Sequence, residues 1–106
     1  MRDAQARVWA FQQRHGLGLQ PELAALDLLA ELGEVAKELL KRTGYGIHPP
    51  LPGGDADLRE ELGDLTYALL ALANALEVDL DGALLQAMAK YEARILKSGD
   101  PGSRSP

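Results

Sequence analysis

The clearest pattern in the chain is a leucine repeat at three- and four-residue spacing: Leu58, Leu62, Leu65, Leu69, Leu72 and Leu76. That period is one face of an α-helix, and it predicts a helix from Asp55 or Asp57 to about Glu77. Leu70, Ala71, Ala73 and Ala75 carry the apolar surface further around the cylinder, so this helix needs neighbours on most sides. An earlier helix is expected from Pro21, whose missing N–H has no partner in a first turn anyway, to about Arg42, where Gly44 and Gly46 stop it. A shorter one is expected over about Asp3 to Arg14, closed by Gly16 and Gly18. The last begins behind Asp79 or Asp81 as a cap, carries the row Leu84, Met88, Tyr91 and Ile95, and ends before Gly99.

Between the second and third helices, Thr43 to Asp55 holds His48-Pro49-Pro50-Leu51-Pro52-Gly53-Gly54 and reads as a long loop, because prolines remove donors and glycines loosen the backbone. A loop of that length is a lid, a binding loop or a flexible linker. The tail from Ser98 to Pro106 has nothing to bury and is expected to be disordered, leaving residues 1–97 as a single helical domain. Composition agrees: Leu and Ala supply 37 of 106 residues and Val and Ile only five, which excludes most β folds. The expected class is therefore all-α, a four-helix bundle whose over-apolar third helix is completed by oligomerisation.

The chain has no cysteine, which removes disulfides, thiolate zinc sites and cysteine nucleophiles and fits a reducing cytoplasm. No apolar run approaches the ~18 residues of a membrane span, and the first residues lack a signal-peptide stretch. A soluble, cytoplasmic protein without a membrane partner is expected. The net charge of -5 argues against nucleic-acid backbones as partners. That charge is local. From Glu22 to Asp64 ten acids face four bases, whereas the rest of the chain is close to neutral.

Within the acidic stretch one signature occurs twice, thirty residues apart: Glu31-Leu32-Gly33-Glu34 and Glu61-Leu62-Gly63-Asp64. Acids three apart share a helix face, with Cβ atoms roughly 5 to 6 Å from each other. At 100° per residue each pair falls at the edge of the leucine stripe, so packing the two helices brings four carboxylates to one groove. Like charges at this spacing cost helix stability, and Gly33 and Gly63 add about 1 kcal/mol each relative to alanine. The duplicated cost points to close approach of a helix or ligand to the backbone, and to a hard divalent cation such as magnesium with open positions for phosphate oxygens. Glu38 is a weaker ligand, with Lys41 and Arg42 in reach, and Glu60 points away from the stripe. A di-iron site would need Glu-x-x-His, yet Gln12 precedes His15 and Tyr45 precedes His48. Lys90 and Arg94 on the fourth helix border the core and are candidate phosphate ligands.

With these motifs the chain resembles the MazG-like nucleotide pyrophosphohydrolases, all-α enzymes marked by ExxE on one helix and ExxD on the next. The resemblance runs over roughly residues 8 to 96, through Asp57-Leu58-Arg59-Glu60-Glu61-Leu62-Gly63-Asp64-Leu65 and Lys90-Tyr91-Glu92-Ala93-Arg94. It implies hydrolysis between the α and β phosphates of a nucleoside triphosphate, with magnesium (or manganese) held by Glu31, Glu34, Glu61 and Asp64. It further implies that Glu34 activates water, that Lys90 and Arg94 contact phosphates, and that the chain forms a homodimer or homotetramer. Trp9 or Phe11 on the first helix could stack on the base, with Trp9 the leading candidate. The chain departs from the commoner pattern at Ala30, Ala87 and Tyr91, where many members carry an acid, lysine and asparagine. The rival readings are a non-catalytic helical dimerisation or regulatory module that retains the motif, and a hydrolase of non-nucleotide diphosphates.

Overall fold

The protein is described by a computed structural model that covers residues 1–44 and 55–102. Four helices follow in order: α1 (Arg2–His15), α2 (Pro21–Arg42), α3 (Asp55–Ala75) and α4 (Leu80–Ser98), with no strand among the described residues. The all-α class is as expected. Most of the Thr43–Asp55 loop, and residues 103–106 of the tail, lie outside the described residues. The ends follow local chemistry. Pro21 opens α2, and Gly16 closes α1 at φ +64°, a left-handed conformation that glycine adopts without steric cost. Asp79 caps α4, its side chain accepting from the Asp81 backbone N–H at 3.2 Å.

The most extensive contact in the chain is between α2 and α3, followed by α1 against α3, while α4 touches chiefly α1. On α2 the covered positions are Ala24, Leu28, Glu31, Val35 and Glu38, and on α3 Leu58, Glu61, Leu65, Ala68 and Leu72. Both sets recur at three and four residues, the seam of a packed helix pair. The fuller leucine stripe read from the sequence is not what becomes buried. Leu62, Leu69 and Leu76 remain exposed, whereas Ala68, Leu70, Ala71 and Ala73 form the buried part of α3. Small side chains let neighbouring helices approach closely, and Leu62, Leu69 and Leu76 lie on the flank of the seam that none of the described residues covers. The expected approach of another helix to Gly33 or Gly63 is also absent among the described residues: a Cβ added at either would meet nothing within 4 Å.

Helix α1 runs opposite to α3, with Gln5 meeting Asn74 and Phe11 meeting Tyr67. The Gln5 amide ties α1 to the α3–α4 turn. It donates to Val78 O at 2.8 Å and Asn74 Oδ1 at 3.2 Å, and accepts from the Leu80 backbone N–H at 2.8 Å. In return Asn74 Nδ2 donates to Gln5 O at 3.0 Å. Arg2 adds exposed ion pairs to Asp79 and Asp81. Glu77 in this turn sits at φ +56°, a conformation that strains any residue with a Cβ. Replacing it by glycine is expected to raise stability by about 0.5 kcal/mol, after the extra entropy of an unfolded glycine, visible as a higher urea midpoint at unchanged slope.

Much of the apolar surface stays open. No residue of α4 is buried, and Leu84, Met88, Tyr91 and Ile95 are all exposed. The radius of gyration is 17.3 Å, against about 13 Å for a compact chain of this length.

Candidate active site

The seam explains how the carboxylates come together. Glu31 and Glu61 occupy seam positions of α2 and α3, flanked along their helices by Leu28 and Val35 and by Leu58 and Leu65. The sequence pattern placed all four acids at the edge of the core; two of them stand in the seam itself. Asp64 and Glu34, three residues on, are exposed at its border. Glu31, Glu61 and Asp64 each offer an oxygen, and these atoms lie within 4.8 Å of one another.

The electrostatics are one-sided. Loss of water around Glu31 raises its pKa, and the charges of Asp64, Asp27 and Glu34 raise it further. Glu61 is raised by the same loss of water and then by Asp64, Glu34, Glu31 and Glu60. No cation appears among these influences. Glu34 is outside the closest three but near enough to act on both glutamates. Glu38 is drawn away by Lys41, whose Nζ donates to Glu38 Oε1 at 3.1 Å. Asp27 is the acid that sequence reasoning passed over. Its signal was present, since it lies four residues before Glu31 and so on the same face of α2.

Three half-buried or bordering carboxylates with no positive partner among the described residues are unfavourable alone, and hard oxygen donors lying close together suit a hard divalent cation. Glu31, Glu61 and Asp64 fit that role as they stand, with Glu34 one turn from Glu31. The basic candidates lie elsewhere. Lys90 and Arg94 turn onto the ring of Tyr91 on their own helix, at 5.1 and 5.9 Å from its centroid, and neither is among the charges acting on Glu31 or Glu61. Trp9 is half exposed. Phe11, on another face of α1, points at α3 and meets Tyr67 edge-on at 6.0 Å.

A helical bundle whose seam is interrupted by carboxylates from two adjacent helices belongs to the class of all-α proteins with a candidate divalent-cation site between helices. The profile of the MazG nucleotide pyrophosphohydrolase domain matches residues 19–97, and the chain belongs to that family of hydrolases acting on acid anhydrides. It is 35% identical over 96 residues to the uncharacterised protein YpjD of Bacillus subtilis, covering 89% of this chain and 85% of the relative. The crystal structure of YpjD from Bacillus subtilis superposes with a TM-score of 0.72 at 33% identity, covering 89% of this chain and 94% of that one. A Bacillus-conserved MazG protein, described as a nucleotide pyrophosphohydrolase, superposes with a TM-score of 0.68 at 28% identity, covering 85% and 86% of the two chains. Family membership makes a nucleotide pyrophosphatase function and a bound metal the coarse reading of the site.

Proposed function

We propose that the chain is a magnesium-dependent pyrophosphohydrolase of nucleoside triphosphates, releasing a nucleoside monophosphate and pyrophosphate in nucleotide-pool house-cleaning in the cytoplasm. The observation that carries this is the placement of Glu31 and Glu61 at half-buried seam positions where, among the described residues, the charges that shift them are all acidic. A polyphosphate is repelled by such a face, so a cation has to come between them. Glu31, Glu61 and Asp64 would hold it, joined by Glu34. A bound magnesium would neutralise phosphate charge and polarise the anhydride. Glu34, exposed at the border, is assigned to positioning the attacking water and taking its proton; the water oxygen bonds to the α-phosphorus as that phosphorus loses its bond to the α–β bridging oxygen, and pyrophosphate departs with the bridging oxygen. Manganese is an acceptable substitute because it shares the preference for oxygen ligands.

A second copy of the chain is proposed to cover α4 and the open flank of α3, as a homodimer or homotetramer. Lys90 and Arg94 are proposed as phosphate ligands, borne on a helix whose order depends on that assembly.

The test is pyrophosphate release from a panel of canonical and modified triphosphates, with magnesium and with chelator. Release only with magnesium, lost in the Glu34→Gln/Asp64→Asn double variant, supports the proposal; full activity in that variant removes the site. Nucleotide binding without product would leave the non-catalytic module, and turnover of non-nucleotide diphosphates alone the other rival. Magnesium at about 100 times its dissociation constant is expected to stabilise the fold by about 2.7 kcal/mol, raising the melting midpoint by on the order of 10 °C.

A further inference from the structure

Helix α4 carries the two cations proposed above as phosphate ligands, and both of them lie against a single aromatic ring. Lys90 Nζ stands 5.1 Å from the centroid of the Tyr91 ring, and the Arg94 guanidinium carbon 5.9 Å from it. We infer that Tyr91 is a positioning residue for these ligands: its ring gathers Lys90 and Arg94 into one two-pronged unit for the substrate's polyphosphate. The inference rests on the nucleotide reading above and goes beyond it by giving a role to an aromatic side chain that acts only through its neighbours.

Three observations carry it. The first is helix geometry. At about 100° per residue, Lys90 and Arg94 fall about 100° and 60° round α4 from Tyr91, on the same side of it, and about 40° from each other. Tyr91 belongs to the apolar row Leu84, Met88, Tyr91 and Ile95, so its ring stands where that row meets the basic side of the helix. The second is the balance of forces. Like charges one turn apart repel each other on a bare helix. A ring within ~6 Å of both attracts both, which offsets the repulsion and restricts two long side chains before any anion arrives. The third is availability. Neither cation forms an ion pair among the described residues. Arg94 Nη1 donates to Pro101 O at 3.4 Å, a neutral acceptor that leaves the charge uncompensated and other N–H groups to spare. A planar guanidinium fork beside a compact ammonium suits neighbouring phosphate groups of one chain.

The experiment is an NMR titration of the full chain with inorganic tripolyphosphate in chelator, so that the acidic face holds no metal. Pyrophosphate release from nucleoside triphosphates at saturating magnesium is measured beside it. Tripolyphosphate is expected to bind the parent chain and to shift the Tyr91 ring resonances as it engages the cations there. Tyr91→Leu keeps the apolar row but removes the ring. It should weaken tripolyphosphate about fivefold and raise KM for the triphosphate by a similar factor, with kcat changing less. Tyr91→Phe, which keeps the ring, should restore both, and Tyr91→Met serves as a second ring-free variant. In a Lys90→Gln/Arg94→Gln background, read with magnesium present so that affinity stays measurable, Tyr91→Leu should have no further effect. A ring that only packed α4 would cost the same in either background. Circular dichroism and sedimentation check folding and assembly across the set. The inference is overturned if the parent chain does not bind tripolyphosphate, or if the ring-free variants bind it as well as the parent or better. It is overturned too if Tyr91→Phe restores nothing, if the loss persists in the doubly substituted background, or if it only follows dissociation of an assembly. Ring-dependent tripolyphosphate binding in a chain that releases no pyrophosphate keeps the role of Tyr91 and removes the hydrolase. Turnover with KM and tripolyphosphate affinity unaltered in Tyr91→Leu does the reverse.

Discussion

Glu61→Leu lowers pyrophosphate release at least a hundredfold and, in the metal-free protein at neutral pH, raises the melting midpoint. The two halves of this expected result share one cause. Glu61 stands at a seam position between Leu58 and Leu65, where the helix pair would accept a leucine, and its charge is opposed by lost hydration and four neighbouring acids. Replacing an uncompensated charge in a packed seam by an apolar side chain relieves that opposition. The same change removes one of three converging oxygens. Since disturbing even the partners behind a metal ligand costs 10- to 100-fold, losing the ligand itself costs at least the upper figure. The sign with pH follows. A carboxyl whose folded pKa is raised binds its proton more tightly in the native state, so its contribution is fully present below the ordinary carboxylate pKa and is lost as pH rises through the folded value. The parent chain therefore loses stability between about pH 4.3, the ordinary glutamate value, and the raised folded values, and Glu61→Leu flattens that loss. Asp79 and Asp81, held low chiefly by the hydrogen bonds from Arg2, act in the opposite sense and lose their contribution as pH falls. Melting curves over a pH series in chelator decide the matter; a lower midpoint for Glu61→Leu at neutral pH would contradict the account.

The second large effect concerns Gln5. Gln5→Leu leaves the Leu80 N–H, the Val78 carbonyl and the Asn74 amide oxygen without the partners they have now. Each partly buried group stranded in this way costs about 1 to 3 kcal/mol, and partial exposure holds the total near 3 kcal/mol. The urea midpoint should fall accordingly. Catalysis should not: Asn74 is ten residues from Asp64 on the same helix, about 15 Å along its axis. Full turnover per folded molecule in the cold, together with early melting, is the expected pair of readings, and a drop in turnover at full folding would show that the turn reaches the site.

The helices were legible because their punctuation is chemical and local. Pro21, Gly16, Asp79 and Gly99 mark ends that any chain with those residues would make, and α2 spans Pro21–Arg42 as read. The carboxylate motif was legible for the same reason, as spacing on single helices. Seam positions were not, because Glu31 and Glu61 look like edge residues until the facing helix fixes the rotation of each. Nor did the leucine stripe show that alanines would make the close contacts, since leucine content reports apolar area and not which face meets a neighbour. Which aromatic of α1 faces α3 depended on the same rotation: Trp9 and Phe11 are two residues apart and nearly opposite, and it is Phe11 that meets Tyr67.

Helix α4, nineteen residues without a single buried one, has a practical corollary. A helix of that length with so little covered is only marginally ordered in water, so in the proposed assembly, where a second copy covers it, dilution would act on this chain as a mild denaturant does. Titrations run at nanomolar and micromolar protein would then sample different proportions of ordered C-terminal segment, and kinetic constants gathered at one end of that range would not transfer to the other.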